Sequence, residues 1–123
     1  MYLLNMEFNI YKNSNLPVLK MQIVKDGETS ISDFNEIIEN SLIYFSMKNL
    51  SDGSQKILNK KGGFVEKTFV EPNSDTEYYV YYKFSKFDTK IPGRYVGEFV
   101  FTNETGNYVL PLRKNLYINV LDV

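Results

Sequence analysis

The side chains here that can do chemistry are 15 Asp and Glu, 14 Lys and Arg, 10 Tyr and the hydroxyls of Ser and Thr; His and Cys are absent. Without His the commonest general base and metal ligand are missing. Without Cys there are no disulfides, no thiol nucleophile and no thiolate-held metal. Three loop groups of acids, Asp26-Gly27-Glu28, Asp52-Gly53 and Asp75-Thr76-Glu77, carry the oxygen donors that calcium takes. None has the EF-hand spacing, and Asp-Gly is first of all a turn former, so they read as turns with no metal. A glycosidase pair of carboxylates is defined by its separation in space, and nothing in the sequence selects two acids for that work. Neither a Gly-x-Ser-x-Gly nor a Ser-x-x-Lys motif is present. The expectation is a non-enzymatic protein with no catalytic residues and no cofactor.

Aromatic residues are the remaining asset. In Tyr78-Tyr79-Val80-Tyr81-Tyr82, strand alternation sends Tyr78 and Tyr82 to one face and Tyr79, Tyr81 and Lys83 to the other. One set can enter a core, and the other then lies on an outer sheet face. Tyrosines suit strands and tolerate water through their hydroxyls, so a plain structural role is one reading. A protein interface is a second, because Tyr is enriched at binding hot spots, and Tyr79, Tyr81 and Lys83 are its candidate residues. A platform for sugar stacking is a third, so a glycan is a possible ligand. Lys56, Lys60, Lys61 and Lys67 surround Gly62-Gly63 and Phe64, a weak single-strand nucleic-acid pattern. The overall charge of −1 favours a solvated hairpin there and argues against nucleic acid as a partner.

The elements that position these residues are mostly strands. Period-two alternation marks 6–10, 18–24, 42–48, 55–59, 64–70, 76–84, 94–102, 108–110 and 116–120. Lys60-Lys61-Gly62-Gly63 reads as a break, and Pro111 as a residue that must sit at a strand edge or end. One short helix is expected near residues 32–40, with Phe34, Ile37 and Ile38 on one stripe and Ser32 or Asp33 as cap. It is either a lid on the core or a docking element. The patterned sequence begins at Met6, and the opening residues are too short, and lack the basic flank, for a secretory signal. No apolar run is long enough for a membrane-spanning helix. With 123 residues, 43% of them hydrophobic, residues 1–123 are expected to form a single domain that buries about two-thirds of its surface. About eight strands at this spacing predict an all-β, immunoglobulin-like antiparallel sandwich of 7–9 strands, with a small barrel as the competitor.

Pro92-Gly93-Arg94-Tyr95 supports the sandwich. A Gly-x-Tyr entering a late strand fits a tyrosine corner, with Pro92, Gly93 and Tyr95 as its structural residues. Gly97 stands where antibody domains carry a cysteine. Together with Ile43-Tyr44-Phe45-Ser46-Met47-Lys48, Gly97-Glu98-Phe99, a hairpin at 103–107 and the passage from Pro111 into Tyr117-Ile118-Asn119-Val120, this segment resembles the N-terminal domain of phage baseplate upper proteins. The resemblance runs from about Leu19 to Val120. It implies a virion structural module assembled in the host cytoplasm, a symmetric homo-oligomer that also binds other virion proteins, with no membrane partner. Baseplate upper proteins usually continue into a long fibrous region, whereas this sequence stops at Val123. The expectation is therefore a small adaptor, fibre-anchoring, decoration, baseplate or neck component.

Overall fold

The computed structural model describes residues 2–3, 6–24, 36–67, 77–111 and 115–122. The strands are β1 (Tyr2–Leu3), β2 (Glu7–Tyr11), β3 (Leu19–Val24), β4 (Leu42–Asn49), β5 (Gln55–Lys61), β6 (Gly63–Lys67), β7 (Glu77–Tyr82), β8 (Gly93–Asn103), β9 (Gly106–Leu110) and β10 (Leu116–Leu121). They form two sheets, one in the order β1-β3-β7-β6 and one in the order β2-β10-β8-β4-β5. The expected all-β sandwich is the observed architecture, and the two separate sheets exclude the small barrel. The small sheet and the β8-β4 centre of the larger one follow immunoglobulin order, with β5 as an added strand beside β4. The antiparallel expectation needs one correction: β10 pairs with β2 in parallel, Tyr117 opposite Glu7 through Leu121 opposite Tyr11.

β8 organises the larger sheet. One of its edges pairs with β4 from Tyr95 to Thr102. The other holds β10 over Gly93–Gly97 and β9 over Phe99–Asn103. β9 and β10 thus lie end to end along that edge, and Pro111 falls between them, where no ladder needs its missing N–H.

The alternation in sequence becomes the core directly. Tyr78, Val80, Tyr82 and Phe84 point inward from β7 and its extension, and Tyr95, Phe99 and Phe101 from β8. Phe45 of β4 is the hub: its ring lies 4.7 Å from Tyr82, 4.9 Å from Phe99 and 5.9 Å from Phe84. Leu3 is 4% exposed within this core, which corrects the expectation that patterned sequence starts at Met6. Two residues were too few for an alternation to register.

Of the expected helix, the described residues show 36–39 as helical. Residues 32–35, including Phe34 and the cap candidates, lie outside the described part. Ile38 is fully buried and Ile37 packs against the core, while Glu39 accepts a 2.8 Å hydrogen bond from the Tyr78 hydroxyl. The turn therefore closes one end of the sandwich. A short helix gains its stability from such packing.

Candidate interaction site

The segment expected to form a tyrosine corner leads into β8. Tyr95 is buried, and its hydroxyl donates to the Ile91 carbonyl at 2.7 Å. Pro92 and Gly93 lead the chain from that carbonyl into β8. Burial raises the Tyr95 phenol above its ordinary pKa, and the nearby Asp52 charge adds to the effect. Tyr95→Phe is expected to cost about 1 kcal/mol, the worth of one such hydrogen bond, measured by urea denaturation. A variant as stable as the parent would overturn the corner.

The loop between β7 and β8 is built on a second tyrosine. Tyr82 donates to Asp88 Oδ2 at 2.9 Å, and the same oxygen accepts the Ser85 N–H. Next in the chain, Thr89 ties this loop to the β2–β3 loop: its hydroxyl donates to the Ser14 carbonyl at 2.7 Å and accepts from the Ser14 N–H at 3.0 Å. Asp88 and Thr89 are buried, so this loop is a fixed frame. Burial, then the hydrogen bond and charge of Asp88, push the Tyr82 phenol well above its ordinary pKa of about 10. The native state then holds a proton that the unfolded state releases, so stability falls as pH rises above about 10. Tyr82→Phe is expected to cost about 1–2 kcal/mol at neutral pH and to flatten that alkaline loss. Denaturation curves collected from neutral to alkaline pH check both effects; parallel slopes would refute the second.

Tyr79 and Tyr81 stand half-buried on the outer face of the small sheet, across from Gln22 and Lys20. The Lys20 ammonium sits 4.8 Å from the centre of the Tyr79 ring. The Tyr81 ring lies across Gly63, so close that a β-carbon there would come within 2.8 Å of two ring carbons and the hydroxyl oxygen. Part of the tyrosine surface is thus structural, covering a glycine gap. Lys83 is exposed just beyond β7. The structure therefore brings Tyr79, Tyr81 and Lys83 to one side of the sheet and separates them from the buried corner.

The outer face of the larger sheet carries a polar network that sequence reasoning missed. Asn119 donates to Glu7 Oε1 at 2.9 Å and to Asn9 Oδ1 at 2.8 Å. The Arg94 guanidinium lies 3.8 Å from the Tyr117 ring centre and 3.5 Å from Glu7 Oε1. Glu7 and Asn9 meet Asn119 because β2 and β10 run in parallel, and Arg94 joins them because β8 lies on the other side of β10; no local pattern reports pairings of such distant segments. Nearby, Ser46, Lys48, Gln55, Val96 and Glu98 line part of a shallow pocket of about 110 Å³.

The loop acids fall out differently. Asp52 caps a turn, accepting the Ser54 N–H at 2.8 Å. Hydrogen bonds from Ser54 hold its carboxyl below the usual carboxylate range. Residues 26–28 and 75–76 lie outside the described part. Among the described residues no group of three acids is placed to hold a metal ion, and no helix is long and apolar enough to cross a membrane. The lysine cluster is partly dispersed: the Lys56 ammonium sits 4.3 Å from the centre of the Phe87 ring, while Lys60 and Lys61 are exposed on β5. No family model, curated protein or solved structure matches the chain.

Proposed function

We propose that this domain is a non-enzymatic assembly protein of a tailed-phage virion, acting through protein–protein contacts. The observation that carries the assembly reading is the half-exposed aromatic outer face of the small sheet, where Tyr79 and Tyr81 stand on a rigid strand in the company of Lys20. Rigid tyrosines supply contact area at low entropic cost. The virion assignment rests on the resemblance to baseplate upper protein N-terminal domains. The segments that carry it, β4, the start of β8, the β8–β9 turn and β10, are neighbours in one sheet.

The test is recovery of the protein with gradient-purified particles of its source. Stoichiometric presence in particles supports the proposal; exclusion from particles despite abundance in the lysate overturns it. If a glycan array instead shows binding that a Tyr79→Ala, Tyr81→Ala double variant loses, the same face is a carbohydrate site.

A further inference from the structure

β2 is the outermost strand on one side of the larger sheet. β10 pairs with it along one edge, and among the described residues no strand pairs with the other. The ladder fixes which backbone groups are left over. The Tyr117 N–H donates to the Met6 carbonyl, and the Lys12 N–H donates to the Leu121 carbonyl, both at 2.9 Å. Tyr117 stands opposite Glu7, Asn119 opposite Asn9 and Leu121 opposite Tyr11. Successive residues of a strand turn their backbone groups to opposite edges, so Phe8 and Ile10 address β10. The N–H and C=O groups of Glu7, Asn9 and Tyr11 point the other way, out from the side of the sheet. All three residues are exposed, Tyr11 at 55%.

Native sheets blunt such edges with Lys, Pro, bulges or brevity. The opposite edge of this same sheet is blunted. There β5 carries exposed Lys60 and Lys61, slips register against β4 and holds Asn59 at a φ of 49°. β2 is five residues, Glu-Phe-Asn-Ile-Tyr, in unbroken register with β10. It contains no Pro, no Lys and no positive φ. Its one charge, on Glu7, is engaged by Asn119 and Arg94, and Lys12 just past its end is paired with Asp122. β2 thus presents a flat ladder without the guards that β5 has.

We propose that β2 pairs with β2 of a second copy, antiparallel across a twofold axis at Asn9, so that the two larger sheets join into one. The strand is complementary to itself. About that axis the outward-facing residues meet only one another: Asn9 meets the second copy's Asn9, and Glu7 meets the second copy's Tyr11. Each becomes a hydrogen-bonded pair of an antiparallel ladder, and no like charges stand opposite. On the core side Phe8, half-buried and stacked on Phe84 at 6.0 Å, comes beside the second copy's Ile10, so the apolar layer continues across the axis. An extended peptide of another protein would also satisfy the backbone groups; the match of charge and apolar residues on both faces selects this same strand. A twofold contact is closed, so it yields a dimer and not a filament. The inference goes beyond the virion role and rests on the geometry of the edge alone.

The test is sedimentation velocity over a hundredfold concentration range, with amide hydrogen exchange of the full chain followed by NMR. The parent should pass from monomer to dimer. The Glu7, Asn9 and Tyr11 amides should exchange fast in dilute solution and slowly in concentrated solution, while Phe8 and Ile10 stay protected by β10 in both. Asn9→Pro removes an outward N–H and spares the ladder to β10. By symmetry two hydrogen bonds are lost, and the dissociation constant should rise at least about tenfold. Asn9→Lys places like charges on the axis and should weaken the dimer without a proline ring's demand on the backbone; far-UV circular dichroism checks that both variants are folded. A parent that stays monomeric with the three amides exchanging fast overturns the inference, as does a dimer that folded Asn9 variants leave intact. Slow exchange of the three amides in a monomer means that the edge is filled from within the chain, and overturns it as well. None of these failures touches the virion proposal, which particle recovery tests independently.

Discussion

Phe45→Ala is expected to lower the unfolding free energy by about 3–5 kcal/mol, at the upper end for a core aromatic. Domains of this size have about 5–15 kcal/mol in total, so the variant should lose a large part of its cooperative transition in urea. The reason is position as much as size. Phe45 is fully buried and in ring contact with Tyr82, Phe84 and Phe99, so it joins β4 and β8 of one sheet to the β7 segment of the other. Gly97 of β8 makes room for it: a β-carbon there would stand 2.9 Å and 3.0 Å from two atoms of the Phe45 ring and 3.4 Å from Ile118. The ring is held between neighbours and cannot swing clear. Gly97→Ala alone should therefore cost about 1–3 kcal/mol through overpacking. Combined with Phe45→Leu the added methyl gains room, so the two costs should fall short of their sum by more than about 0.5 kcal/mol. Strictly additive costs would show that Gly97 does not serve Phe45. Where antibody sandwiches bridge their sheets with a disulfide, this one fills the site with a phenyl ring over a glycine.

Much of this core was legible in the sequence because burial on one sheet face leaves a period of two. Tyr78, Val80, Tyr82 and Phe84, and Tyr95, Phe99 and Phe101, alternate in sequence as sets that share one face, and each is buried. The corner was legible for the same local reason: a glycine, a tyrosine and a strand start lie within four residues. What the sequence hid is non-local. The parallel register of β2 and β10 brings Glu7 and Asn9 beside Asn119, and the antiparallel pairing of β8 with β10 adds Arg94 over Tyr117. The exposure of Phe87 was hidden too, because an aromatic in a short loop looks the same in sequence whether it turns in or out. Here Asp88 and Thr89 take the inward positions with satisfied hydrogen bonds, and Phe87 is left outside. Gly62-Gly63 was read as a break between strands. The break is there and is one residue long: β5 ends at Lys61 in the larger sheet and β6 begins at Gly63 in the smaller one, a corner of the kind that lets one chain segment serve two sheets.

That corner sets the second large effect. Gly62→Ala is expected to destabilise the domain by about 2–3 kcal/mol, the high side of an overpacking cost, whereas Gly63→Ala should cost clearly less. At Gly62 a β-carbon would stand 2.7 Å from the backbone carbonyl oxygen of Tyr81. That oxygen belongs to β7, which is paired on both sides, with β3 and with β6, so it cannot retreat without breaking a ladder. The Gly62 N–H is itself fixed by a 2.9 Å bond to the Ile43 carbonyl, so the glycine cannot move away either. At Gly63 the obstacle is the end of the Tyr81 side chain, which can rotate outward about its χ1 bond. Gly63→Ala then displaces the ring and exposes it, and the measurable sign is a change in Tyr81 fluorescence or in its ring NMR shifts with only a modest loss of stability. Equal costs at the two glycines would mean that β7 yields as easily as a side chain. A much larger cost at Gly62, with the Tyr81 ring unmoved, would identify the crossing between sheets as the least forgiving backbone position in the fold.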